Sequence, residues 1–207
     1  MPKIDKVIKL FFKVRKHRGK NNLIESNKSG FIKCKFIFKG NHNKIQSHDS
    51  LFYNCKFRFY GSNNIVKIGA KCSFKNVEFW FEGDNNIITI GEQCSFCGKT
   101  QIACLEGTKI SIGDNLLSSS DVFLRTSDSH SVLDLEGNRI NFAKNIYIGN
   151  NVWLCQKTTL LKGSKVSDNS IVAYGSIVTK KFDEPHCIIG GNPAKIIKRE
   201  IDWKPER

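Results

Sequence analysis

The chain has 207 residues, 40% of them hydrophobic, and 33 Lys and Arg against 19 Asp and Glu give a net charge of +14. This composition excludes collagen-like, low-complexity and disulfide-dense miniprotein classes, and it can supply one continuous core. No apolar run approaches the roughly 20 residues of a membrane-spanning helix, and a signal peptide's apolar region is missing, so we expect a cytoplasmic protein. The charge favours polyanionic partners, although a solvated basic surface would give the same total.

The first residues read as an amphipathic basic helix. Over residues 3–18 the apolar side chains fall on one helical face and most of the lysines fall elsewhere. We predict that residues 1–27 form a capping helix or segment, because the open end of a repeat array needs a cover. The alternative is contact with anionic lipid, which would place the protein at the inner face of a membrane.

From Ile148 onward an aliphatic residue returns at every sixth position. A period of six is neither the period of two of an alternating strand nor the 3.6 of a helix. It predicts a hexapeptide-repeat solenoid, in which six residues form a short strand and a corner and the coils stack about 4.8 Å apart. The predicted inward residues are Ile148, Leu154, Leu160, Val166, Val172 and Val178, with corner residues Val152, Thr158, Ser164, Ser170 and Ser176.

Upstream, the same register returns in longer copies. FIFKGNHNKI (36–45), FRFYGSNNIVKIG (57–69) and FWFEGDNNIITIG (79–91) start 21 or 22 residues apart. That spacing predicts a coil of about 18 residues plus a turn rich in Gly and Asn, which tolerate left-handed backbone angles. We therefore predict one solenoid over residues 28–183.

The eight cysteines do not read as a disulfide framework. Cys34, Cys55, Cys72 and Cys94 occur about once per repeat, which is typical of reduced packing residues. Cys94 and Cys97 form a CxxC pair, but no second pair of ligands accompanies it, so no metal site is predicted.

The six-residue period stops at TSDSHSVLDLEGNRIN, residues 126–141. Counting from Ile112 in sixes reaches His130 where an aliphatic residue is due, so we predict an extruded loop over residues 130–147. Polar loops on rigid scaffolds often carry function. His130 is the best candidate general base, because imidazole titrates near neutral pH, and Asp128 is the candidate to orient it. The alternative is an ordinary surface histidine.

The segments TSDSH (126–130), NRINFAKNIYIGNNVWL (138–154) and GGNPAK (190–195) together resemble the hexapeptide-repeat acyltransferase superfamily, and within it the bacterial capsule and polysialic acid O-acetyltransferases. The resemblance implies an all-β fold: a left-handed parallel β-helix with an extruded active-site loop and short helical termini. The hand of the coil is carried by the resemblance alone. Residues 184–207 would complete the site for coenzyme A.

The resemblance also implies roles for particular residues. His130 would deprotonate an acceptor hydroxyl that attacks the thioester of acetyl-CoA, with no metal, and Trp153 would position the cofactor. The relatives are trimers with active sites between neighbouring subunits, so a homotrimer is expected. The other implied cofactor-binding residues are Ala173, Gly175 and Ser176 along the pantetheine arm and Lys180, Lys181 and Lys195 at the phosphates.

We therefore expect an acetyl-CoA-dependent O-acetyltransferase for a capsule or other cell-surface polysaccharide, plausibly acidic, such as polysialic acid. One alternative is an acetyltransferase for a small sugar, a nucleotide-sugar or an antibiotic. Another is a non-catalytic solenoid that binds polyanions. Carbonic anhydrases of the same fold need three metal-binding histidines, and the five here lack ligand spacing. Nucleic acid is not expected as a partner, because no recognised reading module is present.

Overall fold

The computed structural model describes residues 13–17 and 19–206 of the chain, and the regular secondary structure in them is entirely β. None of these residues belongs to a helix long and apolar enough to cross a membrane. The strands are β1 (Lys13–His17), β2 (Leu23–Asn27), β3 (Gly30–Ile32), β4 (Lys35–Phe38), β5 (Lys44–His48), β6 (Leu51–Tyr53), β7 (Lys56–Tyr60), β8 (Ile65–Ile68), β9 (Ser73–Lys75), β10 (Val77–Glu82), β11 (Ile87–Ile90), β12 (Ser95–Phe96), β13 (Thr100–Leu105), β14 (Lys109–Ile112), β15 (Leu117–Ser118), β16 (Val122–Arg125), β17 (Ile146–Ile148), β18 (Trp153–Leu154), β19 (Thr159–Leu161), β20 (Lys165–Val166), β21 (Ile171–Val172), β22 (Ile177–Val178), β23 (Lys181–Phe182), β24 (Ile188–Gly191) and β25 (Ala194–Lys198).

Every third strand belongs to the same sheet, so the chain winds around a three-sided prism. Sheet 1 runs β1-β4-β7-β10-β13-β16-β19-β22, sheet 2 runs β2-β5-β8-β11-β14-β17-β20-β23, and sheet 3 runs from β3 to β24 in the same way. All of these pairings are parallel, and β25 alone adds antiparallel to β24. The prediction of an all-β parallel solenoid is confirmed.

In the rear coils, β17 to β24 (residues 146–191), the six-residue period specifies the interior. From β18 to β22 each two- or three-residue strand points one aliphatic side chain inward, and the predicted inward residues from Ile148 to Val178 are all at most 4% exposed. The predicted corner residues from Val152 to Ser176 are completely buried as well. Burying one aliphatic side chain per strand supplies the hydrophobic stabilisation of these coils.

In the front coils, β1 to β15 (residues 13–118), aromatic and amide ladders fill the prism. Stacked phenylalanines run along sheet 3 with ring centroids 4.6–4.8 Å apart, close to the spacing of the coils. Between sheets 1 and 2, each buried asparagine accepts a backbone N–H from the next coil and donates to a glycine carbonyl. The turns between these sheets carry asparagines with positive φ, as predicted. The sheet 3 ladder is Phe31, Phe52, Phe74 and Phe96, and the amide ladder is Asn22, Asn43, Asn64 and Asn86.

Both ends differ from the sequence prediction. Residues 13–17, placed in the predicted helix, form strand β1, which pairs with β4, so the helix is wrong there; residues 1–12 lie outside the described residues. The edge of β4 offers unpaired backbone groups, and a further strand satisfies them better than a helix laid across the end. At the other end no helix follows, because β24 continues sheet 3 and the β24–β25 hairpin closes the coil. The solenoid thus extends beyond residues 28–183 at both ends.

The chain leaves the prism once, between β16 in sheet 1 and β17 in sheet 2. The loop covers residues 126–145, slightly earlier than predicted, because Tyr147 already lies in β17. A single antiparallel bridge, between Leu133 and Arg139, shapes the tip. The loop therefore stands on the edge shared by sheets 1 and 2.

Candidate active site

A network of charged and amide groups fixes residues 126–145 to the solenoid. We call this segment, which carries the candidate base, the catalytic loop. Its entry is held by Glu106, which accepts the Ser127 hydroxyl and, at 2.8 Å, the guanidinium of Arg139. These two contacts, the Ser127 hydrogen bond first, lower the pKa of Glu106 below its ordinary value. The carboxylate is therefore charged at neutral pH and ties both limbs of the loop to the turn after β13.

Asn141 is the central residue of the loop. Its side-chain amide donates to the carboxylate of Asp128 and to the backbone carbonyl of His130, both at 2.8 Å. Its carbonyl oxygen accepts the backbone N–H of Val132 at 2.7 Å. One side chain therefore bonds the Asp128 carboxylate before the candidate base, the carbonyl of His130 itself and the backbone N–H of Val132 after it, which fixes the position of that segment.

Asp128 does not orient the imidazole of His130 in the way the sequence predicted. Its carboxylate bonds the ammonium of Lys162, on the next coil, and the amide of Asn141. These contacts, Lys162 first, hold the pKa of Asp128 below its usual value. No hydrogen bond joins it to the His130 ring among the described residues. Asp128 instead ties the loop to Lys162 and to the Asn141 side chain, and both of these donors bond the same carboxylate oxygen, Oδ2.

The His130 side chain is exposed, and its ring makes no hydrogen bond within the part of the chain that the structure describes. Its backbone carbonyl is held by Asn141 while the ring projects from the loop. An imidazole in this position is open to an acceptor hydroxyl, and hydrogen-bond reach is the first requirement of a general base.

Trp153 lies on the outer side of β18, in sheet 3, away from the edge that carries the loop. Its indole N–H is 3.4 Å from the Ser119 hydroxyl, a long contact, and its ring lies 5.8 Å from that of Trp203. No described contact joins Trp153 to His130. The two predicted catalytic residues therefore occupy different sides of one prism.

The predicted pantetheine corner, residues 173–176, joins sheet 3 to sheet 1. Gly175 is exposed, has a φ of 67°, and a Cβ built there would meet nothing within 4 Å, so the space over it is open. Ala173 is half-buried beside Gly190. Ser176 is fully buried and its hydroxyl accepts the Gly191 N–H at 3.1 Å, so its side chain faces inward and cannot contact a cofactor.

The predicted phosphate-binding lysines lie in two separate places in the structure. Lys180 and Lys181 lie at the edge between sheets 1 and 2, whereas Lys195 lies on β25, the edge strand of sheet 3. All three are exposed, and none forms an ion pair within the described residues. They are available to anions, but they do not form one cluster.

Comparison with known proteins gives several kinds of acetyltransferase, although no protein-family model matches the chain. A polysialic acid O-acetyltransferase of Escherichia coli O1:K1 is 41% identical over 96 residues, 45% of this chain and 31% of that protein. One of Neisseria meningitidis is 33% identical over 107 residues, 51% of this chain and 50% of that protein. The chain thus spans half or less of the length of these curated relatives.

The structural likeness covers far more of the molecule. The crystal structure of the polySia-specific acetyltransferase NeuO superposes with a TM-score of 0.84 at 30% identity, over 94% of this chain and 82% of that one. This chain belongs to the hexapeptide-repeat acyltransferase superfamily. The polysialic acid O-acetyltransferase OatWY superposes with a TM-score of 0.81 at 28% identity, over 91% and 92% of the two chains. The predicted family is confirmed.

Asn141 and Lys162 are the site residues that the sequence prediction missed. Both look like ordinary polar residues in NRIN and LLKG, and no spacing rule links Lys162 to a loop 34 residues earlier. The only signal was that the interrupted period placed Lys162 one coil beyond the loop and on the same edge. Within the acyltransferase superfamily these two residues locate the loop, and the predicted base lies on that loop.

Proposed function

We propose that this acyltransferase moves the acetyl group of acetyl-CoA to a hydroxyl of an acidic cell-surface polysaccharide, polysialic acid being the first candidate. The observation that carries the proposal is the exposed imidazole of His130 on a loop fastened through Asn141, Asp128 and Lys162. The likeness to two polysialic acid O-acetyltransferases over most of the chain supports the acceptor class. The net charge of +14 favours a polyanionic acceptor.

The described residues fit acetyl-CoA as the acetyl donor. The open space over Gly175 and the half-buried Ala173 leave room for an extended arm close to the backbone. Lys180, Lys181 and Lys195 carry free ammonium groups for phosphates. Bound there, acetyl-CoA would supply an activated acetyl group as a thioester. Ser176 is left out of this set, because its side chain is buried.

In the proposed mechanism His130 would accept the proton of the acceptor hydroxyl as the oxygen attacks the acetyl carbonyl. The C–S bond of the thioester would then break, and the protonated His130 would return its proton to the departing thiolate, so that the acetylated acceptor and free CoA result. Such a base typically contributes about 10²- to 10⁴-fold in rate. Trp153 offers an indole N–H whose present partner is distant, so that donor is available near the reacting group. Asn141 and Lys162 are positioning residues that hold the loop, and they do not contact the acceptor in this scheme.

We further propose that the active site forms between subunits of a homotrimer. Within one chain His130 leaves the edge between sheets 1 and 2 while Trp153 lies on sheet 3, so a neighbouring copy is needed to bring them together. The loop also exposes large apolar side chains, which favour contact with another protein surface. These are Val132, Leu133, Leu135, Ile140 and Phe142, each at least 51% exposed.

A cytoplasmic setting remains part of the proposal. The described residues include all eight cysteines, and each is a free thiol. Thiols persist in reducing compartments, where acetyl-CoA is also made. Membrane contact through the first residues stays a prediction, because residues 1–12 lie outside those described.

The likeness to a galactoside O-acetyltransferase of Escherichia coli K12, 36% identical over 93 residues, supports a small sugar as the second candidate acceptor. The decisive experiment mixes the full chain with acetyl-CoA and polysialic acid, a neutral polymer or a small galactoside, and follows release of the CoA thiol. We expect turnover with polysialic acid and a loss of about 10²- to 10⁴-fold in His130→Ala.

The matched control is His42→Asn, a histidine at a left-handed turn of the front coils, where asparagine tolerates the φ of 55°. It should keep the activity of the unaltered protein. Turnover with the galactoside alone would show that the acceptor is a small sugar and not polysialic acid. The proposed transfer of an acetyl group would still hold. Full activity in His130→Ala would refute the assignment of the base, and the absence of turnover with every acceptor would refute the proposed function.

A further inference from the structure

The outer face of sheet 1 in the front coils carries a pair of aromatic rings flanked by cations. Tyr60 and Trp80 lie with centroids 4.8 Å apart, tilted by 49°. The ammonium of Lys39 is 4.6 Å from the centre of the Tyr60 ring, and the guanidinium of Arg58 is 5.7 Å from that of Trp80. We call Lys39, Arg58, Tyr60 and Trp80 the aromatic platform.

Internal hydrogen bonds hold the aromatic platform rigid. Arg58 bonds the carboxylate of Glu78 at 2.7 Å and the hydroxyl of Tyr60 at 3.2 Å, and Glu82 accepts the indole N–H of Trp80 at 3.2 Å. Both rings remain partly exposed on the outside of the sheet. A rigid pair of amphipathic rings loses little entropy when a ligand binds to it.

The aromatic platform lies in line with the catalytic loop. Across sheet 1, Arg58 pairs with Trp80, Trp80 with Ala103, and Ala103 with Arg125, the last residue before the loop. Ala103 points outward and yet is fully buried, so its neighbours cover it and the surface is continuous there. Two strand spacings, about 10 Å, separate Trp80 from the foot of the loop that carries His130.

We propose that the aromatic platform binds sugar units of the acidic acceptor chain that lie beyond the unit being acetylated. The inference rests on the proposed function and adds a binding site to it. Ring faces suit the apolar faces of sugars, and Lys39 matches a carboxylate of an acidic polymer, while Arg58 is ion-paired with Glu78 and holds the rings in place. The distance to the loop allows one chain to reach His130 and the platform together.

The charges favour a polysaccharide over a nucleic acid as the occupant. Aromatic rings beside cations also occur in proteins that bind single-stranded nucleic acid. Here Glu78 and Glu82 lie at the rings, where their carboxylates would accept hydrogen bonds from sugar hydroxyls. An acidic sugar polymer offers such hydroxyls on every unit.

The test compares long and short acceptors in the full-length protein with Tyr60→Ala and Trp80→Ala. We expect the KM for long polysialic acid to rise about tenfold toward the value for a sialic acid dimer, so that the preference for long chains is lost. The KM for acetyl-CoA should change less than twofold. Trp80→Phe, which retains a ring, should restore most of the preference.

The matched control is Tyr53→Ala on sheet 3, another tyrosine with a lysine, Lys33, 5.6 Å from its ring centre. It should leave the preference for long chains intact. An unchanged length preference in folded Tyr60→Ala and Trp80→Ala would overturn the inference, and so would an equal loss in Tyr53→Ala. Weaker binding of oligo(dT) by the platform variants with unchanged binding of polysialic acid would overturn it in favour of nucleic acid.

A failure of the proposed function would appear differently. If the unaltered protein acetylates no polymer, equilibrium binding of polysialic acid to it and to Tyr60→Ala still tests the platform. A tenfold weaker Kd in the variant would support the platform without the activity, and equal Kd values would overturn it.

Discussion

The front and rear coils fill the interior of the prism with different side chains. In the front coils, phenylalanines such as Phe57 stack on the equivalent ring of the next coil, and Asn64 bonds the coils above and below it. In the rear coils, one aliphatic residue per strand is sufficient, and buried corner residues such as Ser164 fit a tighter turn. The front repeat takes 21 to 23 residues and the rear repeat about 18.

The two regions therefore contribute differently: the front coils mainly stabilise the fold, and the loop carries the candidate catalytic base. The front coils contain self-stacking ladders and, of the candidate active site, only Glu106, near their rear end. The loop lies between the front and rear coils, and the predicted cofactor residues lie in the rear coils or directly after them, where the period is short. We therefore expect changes in the front to alter the free energy of unfolding and changes at the loop to alter turnover.

The largest expected effect is on stability. Phe57→Ala should lower the free energy of unfolding by about 3–5 kcal/mol, because the fully buried ring stacks on Phe36 and Phe79 and leaves a cavity. In the rear, Ile146→Val should lower it by only about 0.5–1.5 kcal/mol. Denaturant unfolding measures both. Equal losses in the two variants would contradict this prediction.

The next effect is on turnover. Asn141→Ala should lower kcat by about 10²-fold, because a small displacement of the His130 segment misplaces the base. The change in Tm should stay small, since the loop lies outside the core. Asn138→Ala is the control, because Asn138 bonds only Asp134 within the loop. A large fall in Tm with unchanged kcat would assign Asn141 a structural role instead.

A smaller effect separates the polar interiors of the two regions. Asn64→Ala should cost about 1–3 kcal/mol, because it leaves the buried backbone N–H of Asn86 without its partner and removes one of the two side-chain donors to the Gly83 carbonyl. Ser164→Ala should be near neutral, because the buried Ser164 hydroxyl has no hydrogen-bond partner in the described part of the chain. Thermal unfolding checks both, and a costly Ser164→Ala would contradict the comparison.

The smallest effect is a loosening of the loop in acid. Asp128 and Glu106 have pKa values lowered by their partners, so their stabilising contacts are complete above the ordinary carboxyl range near pH 4 and are lost as the pH falls through the lowered values. Pepsin cleavage within residues 126–145 should accelerate below about pH 4. Glu106→Gln should show the same loosening at higher pH, and pH-independent cleavage would refute it.

Much of the fold could be predicted from the sequence because the inward positions of a solenoid recur at a fixed spacing along the chain. Each inward residue from Ile148 to Val178 is fixed by its distance from the preceding one, and the same count identified the interruption at His130. The prediction was weaker at the ends. The helical spacing in residues 13–17 gave way to strand β1, since the open edge of β4 was available for pairing.

Sequence by itself determined the repeat, the inward residues, the place of the loop and its candidate base. Only the tertiary structure decided the partners of those residues: Asp128 bonds Lys162 rather than His130, Ser176 faces the core, and Lys195 lies apart from Lys180. The physical reason is that a period specifies whether a side chain points inward. It does not specify which groups from different coils meet on an edge, and those meetings depend on hydrogen bonds made across dozens of residues.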